Sequence, residues 1–459
     1  GDIKRVNGKG ESMTFENKGK ENNGATYGRR SDWQNLYTIA KKYYEALLAD
    51  PGNAQFHLTD PRGASDKSGR TFNNPYQYFF EQMHMDDAIY ADESIYEYPM
   101  QQGGGNDGRP YSFGRPSSGG SKAAYPCKSY GQGRINPAYF YGVFDPNDMR
   151  RDVSITMTGS NGKGVEKLIP FVPNSKAEGG GLTLNKWDEN RQANPWVAAQ
   201  RKSGINGPYM RMSEVYLGYA EVCAALGDVV TGKQYLKTVR ERSFPQGLAN
   251  TDAFIASFGN DLVRAIIEER GFEYAGEGDR RWTLIRSGYL PEDIKRIKDM
   301  TKAMMDGLAT KGYYEFENGN IISAYIWTKL VDAKTIYGHR LTAQCPTDKV
   351  NDPVLYPGWR GQKDNWEEMG LNYGSSTPAT NLAIKGLFEI VSEEEAASLE
   401  SQGYTKVNWG IDLVDNRDEY DKYLFWDYDY VSAPIYLWPF TPNVMAAGGF
   451  TNGYGFKQE

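Results

Sequence analysis

The chain has 459 residues, with 52 Lys+Arg against 59 Asp+Glu and a formal net charge of −7. That balance argues against nucleic acid or an anionic membrane surface as the main partner, since both call for a basic face. Three cysteines far apart and three histidines, with no CxxC and no HExxH, give no zinc ribbon, disulfide framework or zinc-hydrolase pattern.

In chain order, residues 1–30 are polar and rich in Gly, Asn and Lys, and read as loop. The leading Gly1 reads as a start left by processing or truncation. Trp33 to Asp50 is the first predicted helix, because Leu36, Tyr37, Ala40, Tyr43, Tyr44, Leu47 and Leu48 recur at helical spacing. Asp50-Pro51-Gly52 stops it. Phe72 to Tyr98 mixes helix with an extended segment. Gly103 to Gly133 is a long Gly/Ser/Pro/Tyr loop, and residues 135–205 are irregular, with short strands near Val153 to Met157 and Leu168 to Val172.

A second helical block follows. Tyr209 to Leu226 reads as a strong helix, Gly227-Asp228 ends it, and Gly232 to Arg242 makes the next. Leu262 to Gly288 holds two helices around a glycine turn, and Pro291 to Leu308 is a charged amphipathic helix. From Gly312 onward the chain is loop-rich. No apolar run reaches the roughly 18 residues of a membrane-spanning helix. Ala220, Gly227, Gly232, Leu236 and Val239, and in the first block Ala40, Tyr44 and Leu47, fall near tetratricopeptide positions, which suggests stacked helix pairs.

The segment IIEERGFEYAGEGDRRWTLIRSG (266–288) sets acids and arginines among apolar residues. Glu269 and Glu273 are four apart and repel unless cations lie beside them, and Arg280, Arg281 and Arg286 are the expected partners. Asp279 is expected to cap the second helix and Gly288 to close it. The competing reading is a glycosidase acid/base pair, but such carboxylates face each other across a substrate from separate elements. Ion pairing within the scaffold is the favoured reading.

MRMSEVYLGYAEVCAALGD (210–228), VRERS (239–243), the segment 266–288 and IYLWPFTPNVMAAGGFTNGYGF (435–456) occur in this order. Together they resemble the C-terminal half of the SusD/RagB family of outer-membrane glycan-binding lipoproteins. Arg211, Tyr219, Ala220 and Glu221 fit the first element of that pattern. Thr238, Val239, Arg240 and Arg242 fit the second, and Glu269, Arg270, Glu273, Glu277, Gly278, Arg280, Leu284, Arg286 and Gly288 the third. Pro439, Pro442, Asn443, Asn452, Gly453 and Tyr454 fit the tail. Thr283 stands where an Asp is common, Gly276 replaces an aromatic, and the aromatic after Arg280 is displaced to Trp282.

The resemblance implies a mainly α fold, a superhelix of tetratricopeptide-like helix pairs with long irregular loops and a few short strands. It divides the chain into a remnant of an N-terminal repeat region (1–60), a loop-rich ligand-facing region (61–205), a helical scaffold (206–310) and a loop-rich C-terminal region (311–459). It implies oligosaccharide binding without catalysis, a SusC-like TonB-dependent transporter as partner, and exposure at the outer-membrane surface through a lipid anchor on a longer precursor. The alternatives are a glycoside hydrolase with paired carboxylates and a helical-repeat scaffold for a protein partner.

A sugar site needs an aromatic face for the pyranose C–H face, with polar groups beside it for the hydroxyls. The candidate ligand-binding residues are Tyr96, Tyr98, Arg109, Tyr111, Phe113, Tyr125, Trp187 and Trp196, with Trp359, Trp366 and Tyr373 in reserve. Tyr43, Tyr44, Tyr216 and Tyr219 are read as core, and Trp282 and Trp438 as packing. No cofactor or catalytic residue is expected. The acids from Asp412 to Asp421 are the one oxygen-rich stretch suited to a structural calcium, without EF-hand spacing. His84-Met85-Asp86-Asp87 reads as a solvated helix edge rather than a metal site.

Overall fold

The computed structural model describes residues 32–61, 74–84, 91–105, 108–118, 127–161, 165–173, 179–189, 192, 196, 198–332, 380–420 and 441–448. It also describes four two-residue strands, β1 (Arg5–Val6), β2 (Ser12–Met13), β3 (Gly19–Lys20) and β4 (Thr26–Tyr27). Helix α1 (Trp33–Ala49) stops at Asp50-Pro51-Gly52, where Gly52 takes φ +64°. One side of α1 sets Tyr37, Ala40, Tyr44 and Leu48 against Tyr219, Val222 and Cys223. Tyr43 instead points outward and is 69% exposed, so the helical spacing placed it in the core wrongly.

Between α1 and the main helical block lie α2 (Pro75–Gln82), β5 (Ser94–Tyr98), α3 (Gly108–Phe113), a π-helical turn at Tyr139–Val143 and α4 (Arg150–Ser154). Four short strands follow, β6 (Ile155–Thr156), β7 (Thr158–Ser160), β8 (Glu166–Leu168) and β9 (Thr183–Leu184), paired β6 with β9 and β7 with β8. Strand β10 (Gly207–Arg211) pairs antiparallel with β5 and runs straight into α5 (Met212–Ala225). The helix expected from Tyr209 therefore begins three residues later, and Tyr209 lies on a strand.

Helices α5 and α6 (Val229–Glu241) form an antiparallel pair. The turn between them needs Gly227 at φ +92°, and the Asp228 carboxylate accepts from the Thr231 amide to cap α6. Gly232 lets the helices close up, since a Cβ there would press on the Ala220 carbonyl and Ala224. Leu217, Ala220, Leu236 and Val239 then share a core with Leu262, Ala265 and Ile266. Those last three come from α8 (Leu262–Glu273), which follows α7 (Thr251–Ala256). After it come α9 (Asp279–Ser287) and α10 (Leu290–Lys311). Gly278, not Asp279, is the residue before α9, and Gly288 closes it at φ +83° as expected. Trp282 is 53% exposed, so it is not the packing residue the motif suggested.

The region after Gly312 is more ordered than its loop-like composition suggests. Strands β11 (Tyr313–Glu315) and β12 (Ile321–Ser323) make a hairpin. Strand β13 (Tyr325–Asp332) is the centre of an antiparallel sheet between β14 (Thr380–Lys385) and β15 (Thr405–Asn408). Helix α11 (Glu393–Ser401) links β14 to β15, and α12 (Gly410–Asp415) follows. Met304, Met305 and Leu308 of α10 pack with Phe140, Tyr141, Ile326, Ile384 and Trp409 in the largest core cluster. Short α13 (Arg417–Tyr420) and α14 (Pro442–Gly448) complete the described elements, and the fold is mainly α. Among the described residues no helix is long and apolar enough to cross a membrane.

Candidate functional site

The charged segment at 266–288 folds into the interior. Glu268, Glu269, Arg270 and Glu273 are all buried, and Glu269 and Glu273 take their partners from distant elements. Glu273 lies 3.0 Å from Arg150, 2.5 Å from Arg211 and 2.6 Å from Arg242. Glu269 is held by Arg150 at 2.7 Å and Arg240 at 3.0 Å. The expected partners of these two acids are engaged elsewhere: Arg280 binds Glu268 and Asp293, and Arg286 binds Glu221. Burial opposes ionisation of Glu273, but Arg242, Arg211 and Arg150 outweigh it and hold its carboxyl far below the usual carboxylate range. Glu268 is lowered to about 2, where Arg280 and Arg296 overcome the burial. For the buried Lys186 ammonium, on Glu277 at 2.6 Å, desolvation prevails and lowers it to about 8.

This network anchors a β-ribbon. Arg211, the last residue of β10, donates to Glu93 (2.8 Å), Glu273 (2.5 Å), Ser213 (2.6 Å) and Glu277 (2.9 Å). Glu93 stands immediately before β5, also binds Arg242, and its carbonyl accepts from the Met212 amide. The Glu93/Arg211 end of the β5–β10 pair is thereby fixed to α8. On β5 the side chains alternate, with Glu97 buried while Tyr96 and Tyr98 are 55% and 56% exposed. Glu97 accepts from the Ala91 amide, Ser94 and Asn206, and Asn206 accepts in turn from the Met100 amide, which fixes the ribbon's other end.

The outer face of the ribbon is aromatic. The register shifts between Pro208 and Met210, so Tyr209 bulges out of the ladder and is 79% exposed. Its ring meets Tyr96 edge to face at 5.5 Å. Gly207 is opposite Tyr98, and directly opposed residues share a face. A Cβ at Gly207 would collide with the Arg109 guanidinium, so the glycine makes room for that cation beside Tyr98. Arg109 lies 5.9 Å over the Trp187 ring. The arrangement offers three tyrosine rings, a cation and phenolic hydroxyls on a fixed ribbon.

The sequence candidates divide accordingly. Tyr96, Tyr98 and Arg109 come together, and Phe113, at the end of α3, is 46% exposed. Tyr111 and Trp187 are buried at 4% and 2%, so their faces are covered by protein. Tyr111 packs edge-on to Tyr130 and under the Arg201 guanidinium, and Trp187 lies with Leu184 and Ile205. Trp196 is half-buried, with its ring against Gly103. Tyr125, Trp359, Trp366, Tyr373, Trp438 and Cys345 lie outside the described residues. Tyr209 is the residue that periodicity missed. His84 is buried, bonded to the Phe80 carbonyl and accepting from the Asp188 amide. Among the described residues no group of three or more His, Cys, Asp or Glu is set to hold a metal ion, and Asp412 accepts from Asn408.

A family model described as the SusD family matches residues 54–439. SusD-like protein P25 of Formosa agariphila is 28% identical over 160 residues, 35% of this chain and 26% of that protein. A SusD homolog from Bacteroides thetaiotaomicron shares 17% identity over 60% of this chain and 55% of its own, with a TM-score of 0.39. Surface glycan-binding protein A of the same organism, solved with laminarihexaose, shares 18% identity over 57% of this chain and 52% of its own, with a TM-score of 0.37. The matches thus span about a quarter of the curated relative and about half of each solved one.

Proposed function

The chain belongs to the SusD family, and from that premise we propose that it binds glycans at the cell surface and hands them to a SusC-like TonB-dependent transporter. The observation that carries the binding reading is the Tyr96–Tyr98–Tyr209 face, exposed on a ribbon whose Glu93/Arg211 end is bonded into the buried charge network and whose other end is held by Asn206. Rigid rings with two torsions give stacking area at small entropic cost, and the tyrosine hydroxyls give hydrogen-bonding groups for sugar hydroxyls. Binding proceeds without bond cleavage. Glu269 and Glu273, the acids of the glycosidase alternative, are fully buried and arginine-bound, with no substrate space between them. An outer-membrane location, through a lipid anchor on the precursor, belongs to the same reading.

Calorimetry against a polysaccharide panel tests the binding, with single Tyr96→Ala, Tyr98→Ala and Tyr209→Ala variants. Each is expected to weaken binding by about 1–3 kcal/mol, by analogy with aromatic stacking on nucleobases, and to leave the melting temperature unchanged. Saturable binding untouched by all three would move the site off the ribbon. Transporter delivery predicts co-purification of the full-length protein with a SusC-like partner from membranes. Recovery without it would sink that half of the proposal.

A further inference from the structure

The chain is acidic as a whole, but its charge is unevenly spread. Residues 99–134 carry five cations and one acid, and residues 190–206 three cations and no acid, in a protein of net charge −7. Both segments leave the ribbon at its Asn206 end. The acids next to them in sequence are turned inward: Glu97 is bonded to Ser94 and Asn206, and Asp188 is buried against Arg115. A local excess of one sign attracts ligands of the other, whatever the net charge.

Three of these cations have no acid of their own. Arg201 is exposed and Lys202 and Lys128 are half-buried, and among the described residues no carboxylate pairs with any of them. Backbone and rings hold them in place. Past Tyr98 and Gly207 the two segments run on together, with the Gly103 amide donating to the Lys202 carbonyl at 3.0 Å. Gly204 keeps them close at φ +74°, where a Cβ would strike the Gln102 backbone. Lys202 is five residues from Gly207, so their Cα atoms are at most about 18 Å apart, a distance that one oligosaccharide spans.

Arg201 takes φ +60°, a left-handed backbone uncommon outside glycine, and its guanidinium lies 4.6 Å over the Tyr111 ring. Tyr111 meets Tyr130 edge-on at 5.0 Å, and the Lys128 ammonium lies 5.2 Å over Tyr130. The rings position these cations without neutralising them, since a ring carries a quadrupole and no net charge. A guanidinium fork matches the paired oxygens of a carboxylate or a sulfate, and charged hydrogen bonds are the stronger kind. A neutral sugar offers the cations nothing to offset their desolvation.

We infer that the glycan is anionic: Arg201 and Lys202, with Lys128 beyond them, bind its carboxylate or sulfate groups while the ribbon's tyrosines take its sugar faces. The inference rests on the glycan-binding reading of the ribbon and adds to it the charge of the ligand.

The test compares ligands that differ in charge on one backbone, by calorimetry on the full chain. The carboxylate arm sets gluco-, manno-, gulo- and galacto-configured oligouronates against their methyl esters. The sulfate arm sets sulfated galactan and fucan oligosaccharides against their desulfated forms. In one arm the charged form is expected to bind at least about tenfold tighter than its neutral match, with an affinity that falls as salt rises. The arm that shows this names the anion. Arg201→Gln/Lys202→Gln should remove most of that preference and move the melting temperature little, because neither cation holds an acid in the fold. Neutral forms binding as tightly as their charged matches would overturn the anionic ligand and leave the ribbon standing. A charge preference untouched by the double variant would overturn the role of these two cations. A preference lost in the double variant, with binding indifferent to Tyr96→Ala, Tyr98→Ala and Tyr209→Ala, supports the cations and removes the ribbon. No binding in either arm overturns the inference, while neutral polysaccharides still test the ribbon.

Discussion

Replacing Arg211 by Met is expected to destabilise the protein by about 3–5 kcal/mol, read as a shift in urea midpoint at unchanged slope. Arg211 is 1% exposed and its guanidinium meets Glu93, Glu273 and Glu277. The network holds together because each buried acid is met by cations at hydrogen-bonding distance. Removing one cation leaves Glu277 to Lys186 alone, and leaves Glu93 and Glu273 with one fewer partner each. Truncating one side of a buried pair costs far more than the pair itself contributes, because the remaining charge stays desolvated. Methionine keeps most of the aliphatic volume, so the loss reports charge rather than a cavity. A loss under about 1 kcal/mol, the range of a surface ion pair, would contradict a desolvated network. The double variant Arg211→Met/Glu273→Leu should recover part of the stability, since it removes opposite charges together.

The same network explains what could be read from the chain and what could not. Punctuation by Asp50-Pro51-Gly52, Gly227-Asp228 and Gly288 is local chemistry, and those stops are where the sequence places them. That Glu269 and Glu273 belong to scaffold was also legible, since arginines crowd the same motifs. Their partners were not. Arg211 and Glu273 are 62 positions apart and Arg150 and Glu273 are 123, whereas side-chain spacing rules reach only three or four. Arg280 lies seven residues beyond Glu273 in sequence yet turns toward Glu268 and Asp293.

The candidate site was half legible for a related reason. Tyr96 and Tyr98 stand two apart beside a buried Glu97, a strand alternation. Tyr209 was hidden because Tyr209 to Leu226 reads as one apolar helical run, and only the bulge opposite Tyr96 marks it as strand. Tyr111 and Trp187 are candidates in the sequence as aromatics with polar groups beside them. In the structure these rings are packed instead, Tyr111 against Tyr130 and Trp187 with Leu184 and Ile205. Local composition does not tell a ring that forms a core from one that offers a face.

Acid should unfold this protein over a defined window. Glu268 has a folded pKa of about 2 against an ordinary 4.5, Glu273 is lower still, and Glu93 is lowered as well. In each, burial alone would raise the value, and the facing arginines reverse it. With folded values below unfolded ones, the unfolded chain binds more protons in this range, so stability falls as pH falls. The contribution is complete above pH 4.5 and disappears progressively as pH falls from there toward 2. Glu268 alone accounts for an order of about 3 kcal/mol, at 1.36 kcal/mol per unit. The buried acids share their arginines, so the slope belongs to the cluster and not to one residue. Urea midpoints should be flat from pH 4.5 to about 7, below the range where Lys186 at about 8 adds its own slope, and drop steeply as pH falls toward 2, with little response to salt, because buried pairs are weakly screened. In Glu268→Gln the neutral midpoint falls and the acid slope loses close to one proton. An unchanged slope in that variant would mean that Glu268 is not held ionised by Arg280 and Arg296. Stability that rose on acidification would contradict the whole arrangement, because protonated acids would then suit this interior better than the arginine-bound carboxylates that tie α8 to the ribbon.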